Sequence, residues 1–254
     1  MKKKIALVTG GVGGIGSAIC KRLAEDGHFV VANYGIPGTE TKWLATMAAA
    51  GLHPGSTALA FGDVTQYDAM AEMVAKIAAE HGPVDILVNC AGITKRTPTL
   101  DVSDQEWDSI IATNLTATFR ACQIFGRSML GNGYGRIINI ASLTSFVGLH
   151  EVAAYTASKS AVAGLTRALA VEWGPRGVNV NAIAPGVFRT ALNTRLLDES
   201  GRGQELLERT PLKRFGRVEE LAPACVFLAS EGASFVNGEV LTVDGGFLAS
   251  GVNQ

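Results

Sequence analysis

The chain has 254 residues, 47% of them hydrophobic and 18% charged, which is enough apolar surface for a full core and the size of one α/β domain spanning 1–254. Lysine and arginine total 22 against 23 for aspartate and glutamate, so no excess charge draws the chain to nucleic acid or to an anionic membrane, and the expected ligands are small molecules. Cys20, Cys90, Cys122 and Cys225 form no Cys-x-x-Cys pair and none sits beside a histidine at ligand spacing, which argues for buried, reduced thiols and against a metal site.

The N-terminus is basic, but Lys2-Lys3-Lys4 runs into too short an apolar stretch for a signal-peptide core. No stretch reaches the length of a membrane span, so a cytoplasmic location is expected. From there short β-branched runs alternate with longer stretches of helical period. A strand is predicted over 5–8 and a helix over 17–25, then a strand over 29–32 and a helix over 41–50. A strand over 58–60, a helix over 69–79 and a strand over 84–88 follow. Next come a helix around 107–129, a strand over 136–140, a helix around 153–173 and a strand over 178–183.

The segment 190–218 breaks the rhythm. It is charged, lacks a strand and contains Gly201 and Gly203. It reads as a substrate lid with short helices, the alternative being a disordered linker. A helix over 220–228 and a last strand over 240–243 close the chain. Strands that are apolar throughout, rather than alternating, suit a sheet covered on both faces. The expected architecture is therefore α/β: a single doubly wound, Rossmann-like domain, its parallel sheet of about seven strands flanked by helices on both faces.

Directly after the first strand stands Thr9-Gly-Gly-Val-Gly-Gly-Ile-Gly16. Glycines between a buried strand and a helix allow a tight turn, close approach to a pyrophosphate, and amides presented at a positively polarised helix N-terminus. A turn that binds nothing is the plainer alternative. No Gly-x-x-x-x-Gly-Lys-Ser/Thr and no Gly-x-Ser-x-Gly occurs, which counts against a triphosphatase and a serine hydrolase.

Tyr155 and Lys159 stand four apart at the start of a helical stretch, so both project from one face. An ammonium about 4 Å from the phenol contributes roughly 4 kcal/mol at an effective dielectric near 20, which would lower the phenol by about three pKa units. The tyrosine would then be a usable acid–base group. The same spacing also suits a surface pair on an amphipathic helix.

Together these motifs resemble the short-chain dehydrogenase/reductase family over nearly the whole chain. The resemblance implies that Tyr155 transfers the proton and that Ser142 holds the substrate oxygen. It also implies that Asn114 anchors a water in the relay behind Lys159, and that Lys159 and Tyr155 contact the nicotinamide ribose. For the coenzyme it implies Gly10, Val12, Gly14, Ile15 and Gly16 at the pyrophosphate, Asn33, Tyr34 and Gly35 after the second strand, and Asp63 and Val64 at the adenine. It further implies Asn89, Ala91 and Gly92 after the fourth strand, and Pro185, Gly186, Val187 and Thr190 at the carboxamide. Cys90 stands where the family carries a second asparagine, which removes a hydrogen bond expected to stabilise the strand end. Asp244-Gly245-Gly246 also suits the family.

The coenzyme is NADP or NAD. Asn33-Tyr34-Gly35-Ile36 lacks the acid that binds the ribose 2′-hydroxyl of NAD, which favours NADP. The opening with Lys42-Trp43-Leu44 resembles acetoacetyl-CoA reductases. Gly92-Ile93-Thr94-Lys95-Arg96 and Arg209-Thr-Pro-Leu-Lys-Arg-Phe-Gly216 resemble sugar-acid and polyol dehydrogenases such as gluconate 5-dehydrogenase. The later loops wall the substrate in such a fold, so the second likeness carries more weight. Arg96, Arg189 and Arg195 are the candidates to bind a carboxylate. A non-catalytic dinucleotide sensor on the same fold is the rival of another class. The resemblance also implies a homotetramer packed through the helices near 107–129 and 153–173 and the last strand.

Overall fold

Seven aliphatic runs form one sheet: β1 (Ile5–Thr9), β2 (Phe29–Tyr34), β3 (Thr57–Phe61), β4 (Ile86–Asn89), β5 (Gly135–Ile140), β6 (Val178–Pro185) and β7 (Val240–Val243). The computed structural model describes residues 3–52, 55–190, 194, 197 and 201–251. All neighbouring strands are parallel, in the order β3-β2-β1-β4-β5-β6-β7. The chain reverses its direction of travel between β1 and β4. In open α/β sheets the crevice beyond the carboxyl ends at such a point is where ligands bind.

Successive strand residues feed opposite faces. Ala6 and Val8, Val30 and Ala32, and Ile86 and Val88 enter a core closed by helices α1 (Gly14–Glu25), α2 (Glu40–Ala49) and, near the C-terminus, Val218–Ala229. Leu7, Val31 and Leu87 enter the opposite core, closed by α3 (Tyr67–His81), α5 (Ala117–Asn132) and α6 (Ala153–Trp173). Burial of both faces is why the strands read as unbroken apolar runs.

Two stretches depart from expectation. The single helix read around 107–129 is α4 (Asp104–Ile111), one π-helical turn over Ala112–Thr116, and then α5. Such a turn inserts one residue into the helical register and often marks a functional site. Within 190–218 the described residues include α7 (Gly201–Arg209), and a parallel bridge pairs Phe188 with Gly216. The last helix, Val218–Ala229, is α8. Among the described residues no helix is long and apolar enough to cross a membrane.

Candidate active site

The glycine turn leaves β1 at Gly10, whose φ of +62° lies in the left-handed region that favours glycine. A Cβ on Gly16 would lie 2.3 Å from the Gly10 carbonyl oxygen, and one on Gly14 would lie 3.3 Å from Thr190. Only glycine therefore keeps this turn closed, with the α1 N-terminus bare. Val12 and Ile15 pack partly against the core and anchor it.

Asn33, expected as a coenzyme contact, faces inward instead. It is 1% exposed, donates to the Gly62 carbonyl at 2.9 Å and accepts from Gly10 N at 3.3 Å. Its side chain braces the turn from behind, because a buried amide must satisfy its own polar atoms. Asn89 is likewise interior, its amide donating to Asn139 Oδ1 at 2.8 Å. Tyr34 packs edge-on against Phe61, and Gly35 lies close to Asp63. Val64 and Ala91 line one small cleft with Thr9.

Cys90 does not leave the end of β4 unsupported. Thr9 Oγ1 accepts from Cys90 N at 3.0 Å and from Ala91 N at 3.1 Å, so a hydroxyl on β1 ties the strand end down.

Beyond β4 the chain meets the π turn. Asn114, wholly buried, accepts from Ile93 N at 2.8 Å and donates to the Ile93 carbonyl at 2.9 Å and to Ser158 Oγ at 3.0 Å. Ser158 in turn donates to the Tyr155 carbonyl at 2.7 Å. The Asn114 side chain thus clamps the β4 loop onto the turn of α6 that carries Tyr155 and Lys159. Ile93 and Ser158 belong to this clamp although neither was among the expected site residues. Gly92 sits where a Cβ would come 3.3 Å from Asn114 Oδ1 and 3.5 Å from Lys159 Nζ.

Ser142 follows β5 and caps the short turn Leu143–Ser145, its Oγ accepting from Thr144 N at 3.1 Å. With a lone pair so occupied, its proton is free to be donated outward. Ser142 lies close enough to Tyr155 for its hydroxyl to favour the phenolate and so lower the phenol's pKa. Lys159, 4% exposed, donates from Nζ to the Ile140 carbonyl at 2.7 Å, and its Nζ lies 5.8 Å from the Tyr155 ring centroid.

The titration of the pair runs opposite to expectation. Burial raises the Tyr155 phenol above its ordinary value, and the Ser142 hydroxyl offsets only part of the rise. Burial also draws the Lys159 ammonium down to about 8. Spacing along a helix fixes which groups share a site, but desolvation of the charged forms is the largest cause of both shifts.

Pro185 ends β6, and Gly186 packs so closely on Asp244 that a Cβ would meet its Cα at 2.6 Å. Asp244 accepts from Gly246 N at 2.8 Å and Leu248 N at 2.7 Å, which folds the C-terminal segment back. There Leu143, Leu197, Leu206 and Phe247 form an apolar wall, with Val187 packed against it.

Of the three arginines expected to meet a carboxylate, Arg96 is held by Glu151 (Nε to Oε2, 2.9 Å) and Arg189 stacks on Phe215. Arg195 lies outside the described residues. A turn that needs its glycines, beside buried Ser142 and Lys159 and half-buried Tyr155, fits a dinucleotide lying from the α1 N-terminus to Lys159.

Comparison with known proteins points the same way. The family model described as enoyl-(acyl carrier protein) reductase matches residues 11–248. Gluconate 5-dehydrogenase of Gluconobacter oxydans is 43% identical over 245 residues, covering 96% of this chain and 94% of that protein. Acetoacetyl-CoA reductase of Allochromatium vinosum is 39% identical over 245 residues, covering 96% and 98%. The solved structure of a gluconate 5-dehydrogenase from Burkholderia cenocepacia, in complex with NADP and tartrate, is 35% identical with a TM-score of 0.92, covering 99% of this chain and 97% of that chain.

Proposed function

Because this chain belongs to the short-chain dehydrogenase/reductase family and is an NAD(P)-dependent oxidoreductase interconverting a secondary alcohol and a ketone, we propose that its substrate is a sugar acid or polyol and that Tyr155, Ser142, Lys159 and Asn114 carry the reaction. The observation that carries this reading is that Ser142 lies within interaction range of the Tyr155 phenol, with buried Lys159 one turn along the same helix and held by the Ile140 carbonyl.

The coenzyme, when bound, supplies or accepts the hydride. Gly10, Val12, Gly14, Ile15 and Gly16 would hold its pyrophosphate, Tyr34 and Gly35 its adenosine ribose, and Asp63 and Val64 its adenine. Ala91, Gly92, Tyr155, Lys159, Pro185, Gly186, Val187 and Thr190 would line the nicotinamide end. The missing acid after β2 favours NADP over NAD.

In the reducing direction Tyr155 gives its Oη proton to the ketone oxygen, and Ser142 donates a hydrogen bond to that same oxygen. A phenol held above its ordinary pKa stays protonated at neutral pH, which suits a donor. Negative charge develops on the substrate oxygen, so donors fixed in place beforehand lower the barrier without a metal. Asn114 positions Tyr155 and Lys159 through Ser158. The segment 190–218 acts as a lid, its Leu206 resting on Leu143 beside Ser142.

Exposed Trp107, Phe119, Val171 and Phe235 lie on and near the helices expected to form a homotetramer. Four free cysteines suit a reducing, cytoplasmic setting. Steady-state kinetics with 5-ketogluconate, an uncharged ketose and acetoacetyl-CoA, each with both coenzymes, test the reading. The sugar-acid and polyol proposal expects the first two to be reduced in preference to the thioester.

A further inference from the structure

We infer that Arg202, on the lid helix α7, is the residue that binds the carboxylate of an acidic substrate and so selects acids over uncharged ketones. This rests on the sugar-acid reading above and deepens it. Arg202 and Leu206 are four residues apart on α7 and share one face. Leu206 shares an apolar cluster with Leu143, the residue after Ser142, and with Val147 and Leu149, so that face adjoins the loop running from Ser142 to Glu151.

At the far end of this loop Arg202 Nη1 donates to the His150 carbonyl at 3.0 Å. The neighbouring Glu151 is already committed. Its backbone is held at φ +64° by Thr97 N, which donates to its carbonyl at 2.9 Å, and its carboxylate takes the Arg96 guanidinium. Arg96 and Arg202 are close enough for their charges to interact. Glu205, one turn along α7, is also within electrostatic reach of Arg202. Yet among the described residues neither Glu151 nor Glu205 forms an ion pair with it.

Arg202 is therefore a partly buried guanidinium with most of its five N–H donors uncommitted. It stands over the loop that carries the reacting serine. A planar fork of donors suits a carboxylate better than a hydroxyl, and the charge-assisted bonds it forms are about twice as strong as neutral ones. In a sugar acid reduced at the far end of the chain, the acid group is several carbons from the reacting carbonyl, so the group that binds it must stand apart from Ser142 and Tyr155, as a guanidinium at the His150 end of the same loop does.

The test compares 5-ketogluconate with the uncharged ketose L-sorbose in the full-length protein and in Arg202→Gln and Arg202→Lys. Arg202→Gln is expected to lower kcat/KM for the acid relative to the ketose by about tenfold or more, the loss lying in KM, as removal of a charge-assisted bond requires. Arg202→Lys should recover part of that loss, because it keeps the charge and forfeits the fork. If the wild type prefers the acid and both variants keep the same preference, Arg202 is not the selector while the sugar-acid reading stands. If the wild type reduces L-sorbose better than 5-ketogluconate, the role of Arg202 and the sugar-acid half of the reading fall together, and the polyol half stands.

Discussion

Replacing Tyr155 with phenylalanine removes one oxygen and leaves the packing of the ring in place. The structure separates what this costs in stability from what it costs in rate. Ser142 loses one partner, but its Oγ still accepts from Thr144 N at 3.1 Å, so no polar atom there is stranded. Loss of a single net hydrogen bond costs about 1 kcal/mol, which for a chain of this size lowers Tm by about 2–4 °C. Rate suffers far more, since the donor of the transferred proton is gone. General acid catalysis contributes about 10²–10⁴-fold, or about 3–5 kcal/mol of barrier. Coenzyme affinity is carried mainly by the glycine turn and should change little. The assay is coenzyme absorbance during ketone reduction, with coenzyme titration and thermal melting on the same sample. A variant that binds coenzyme, melts within a few degrees of wild type and still turns over at more than about a tenth of the wild-type rate would refute the assignment of Tyr155.

Lys159 sets the alkaline limit. Its charged form is favoured below about 8 and is lost as pH rises through that value, so kcat/KM for reduction should fall on an alkaline limb near 8. In Lys159→Arg whatever activity remains should lack this limb, because guanidinium does not titrate there. A limb that persists unchanged in that variant assigns it to another group. Gly16→Ala places a Cβ 2.3 Å from the Gly10 carbonyl and forces the turn open. Coenzyme Kd should rise by about tenfold or more with the far-ultraviolet dichroism unchanged, given the sensitivity of such sites to small misplacements. Asn139→Ala removes a wholly buried amide that accepts from Asn89 and donates to Thr166 Oγ1 at 3.0 Å. Asn89 Nδ2 keeps only its weak bond to Cys122 Sγ at 3.4 Å and Thr166 Oγ1 keeps its bond to the Val162 carbonyl, so two bonds are lost without stranding either group, and urea denaturation should show a loss of about 1–3 kcal/mol.

The parallel sheet was legible because strands buried on both faces leave continuous apolar runs. Boundaries were less so. Val84 and Asp85 read as the start of β4, but Val84 only packs into the core, and the Asp85 carboxylate accepts from Ile5 N at 3.0 Å ahead of the strand. The π turn at Ala112–Thr116 left no mark in the periodicity, because what accompanies it is the tertiary clamp of Asn114 on Ile93 and Ser158.

Tyr155 and Lys159 stood out by their spacing and Ser142 through the family resemblance, but the direction of the Tyr155 and Lys159 pKa shifts was not legible, since burial is a property of the folded core. The inward placement of the Asn33 side chain was hidden for the same reason. A polar residue at a strand end looks like a ligand contact until its amide is seen satisfied from within. Arg96 and Glu151 are separated by 55 positions, so their pairing was invisible in the chain, as was the approach of Arg202 to the same loop.

The most direct measurement mixes the purified protein with NADPH and 5-ketogluconate and follows coenzyme consumption alongside product identity. Stoichiometric oxidation of NADPH with formation of the corresponding hydroxy acid is the expected result. Tight coenzyme binding with no consumption of NADPH or NADH, against this acid or a panel of polyol-derived ketones, would contradict the account and mark the chain as a dinucleotide-binding protein without this chemistry.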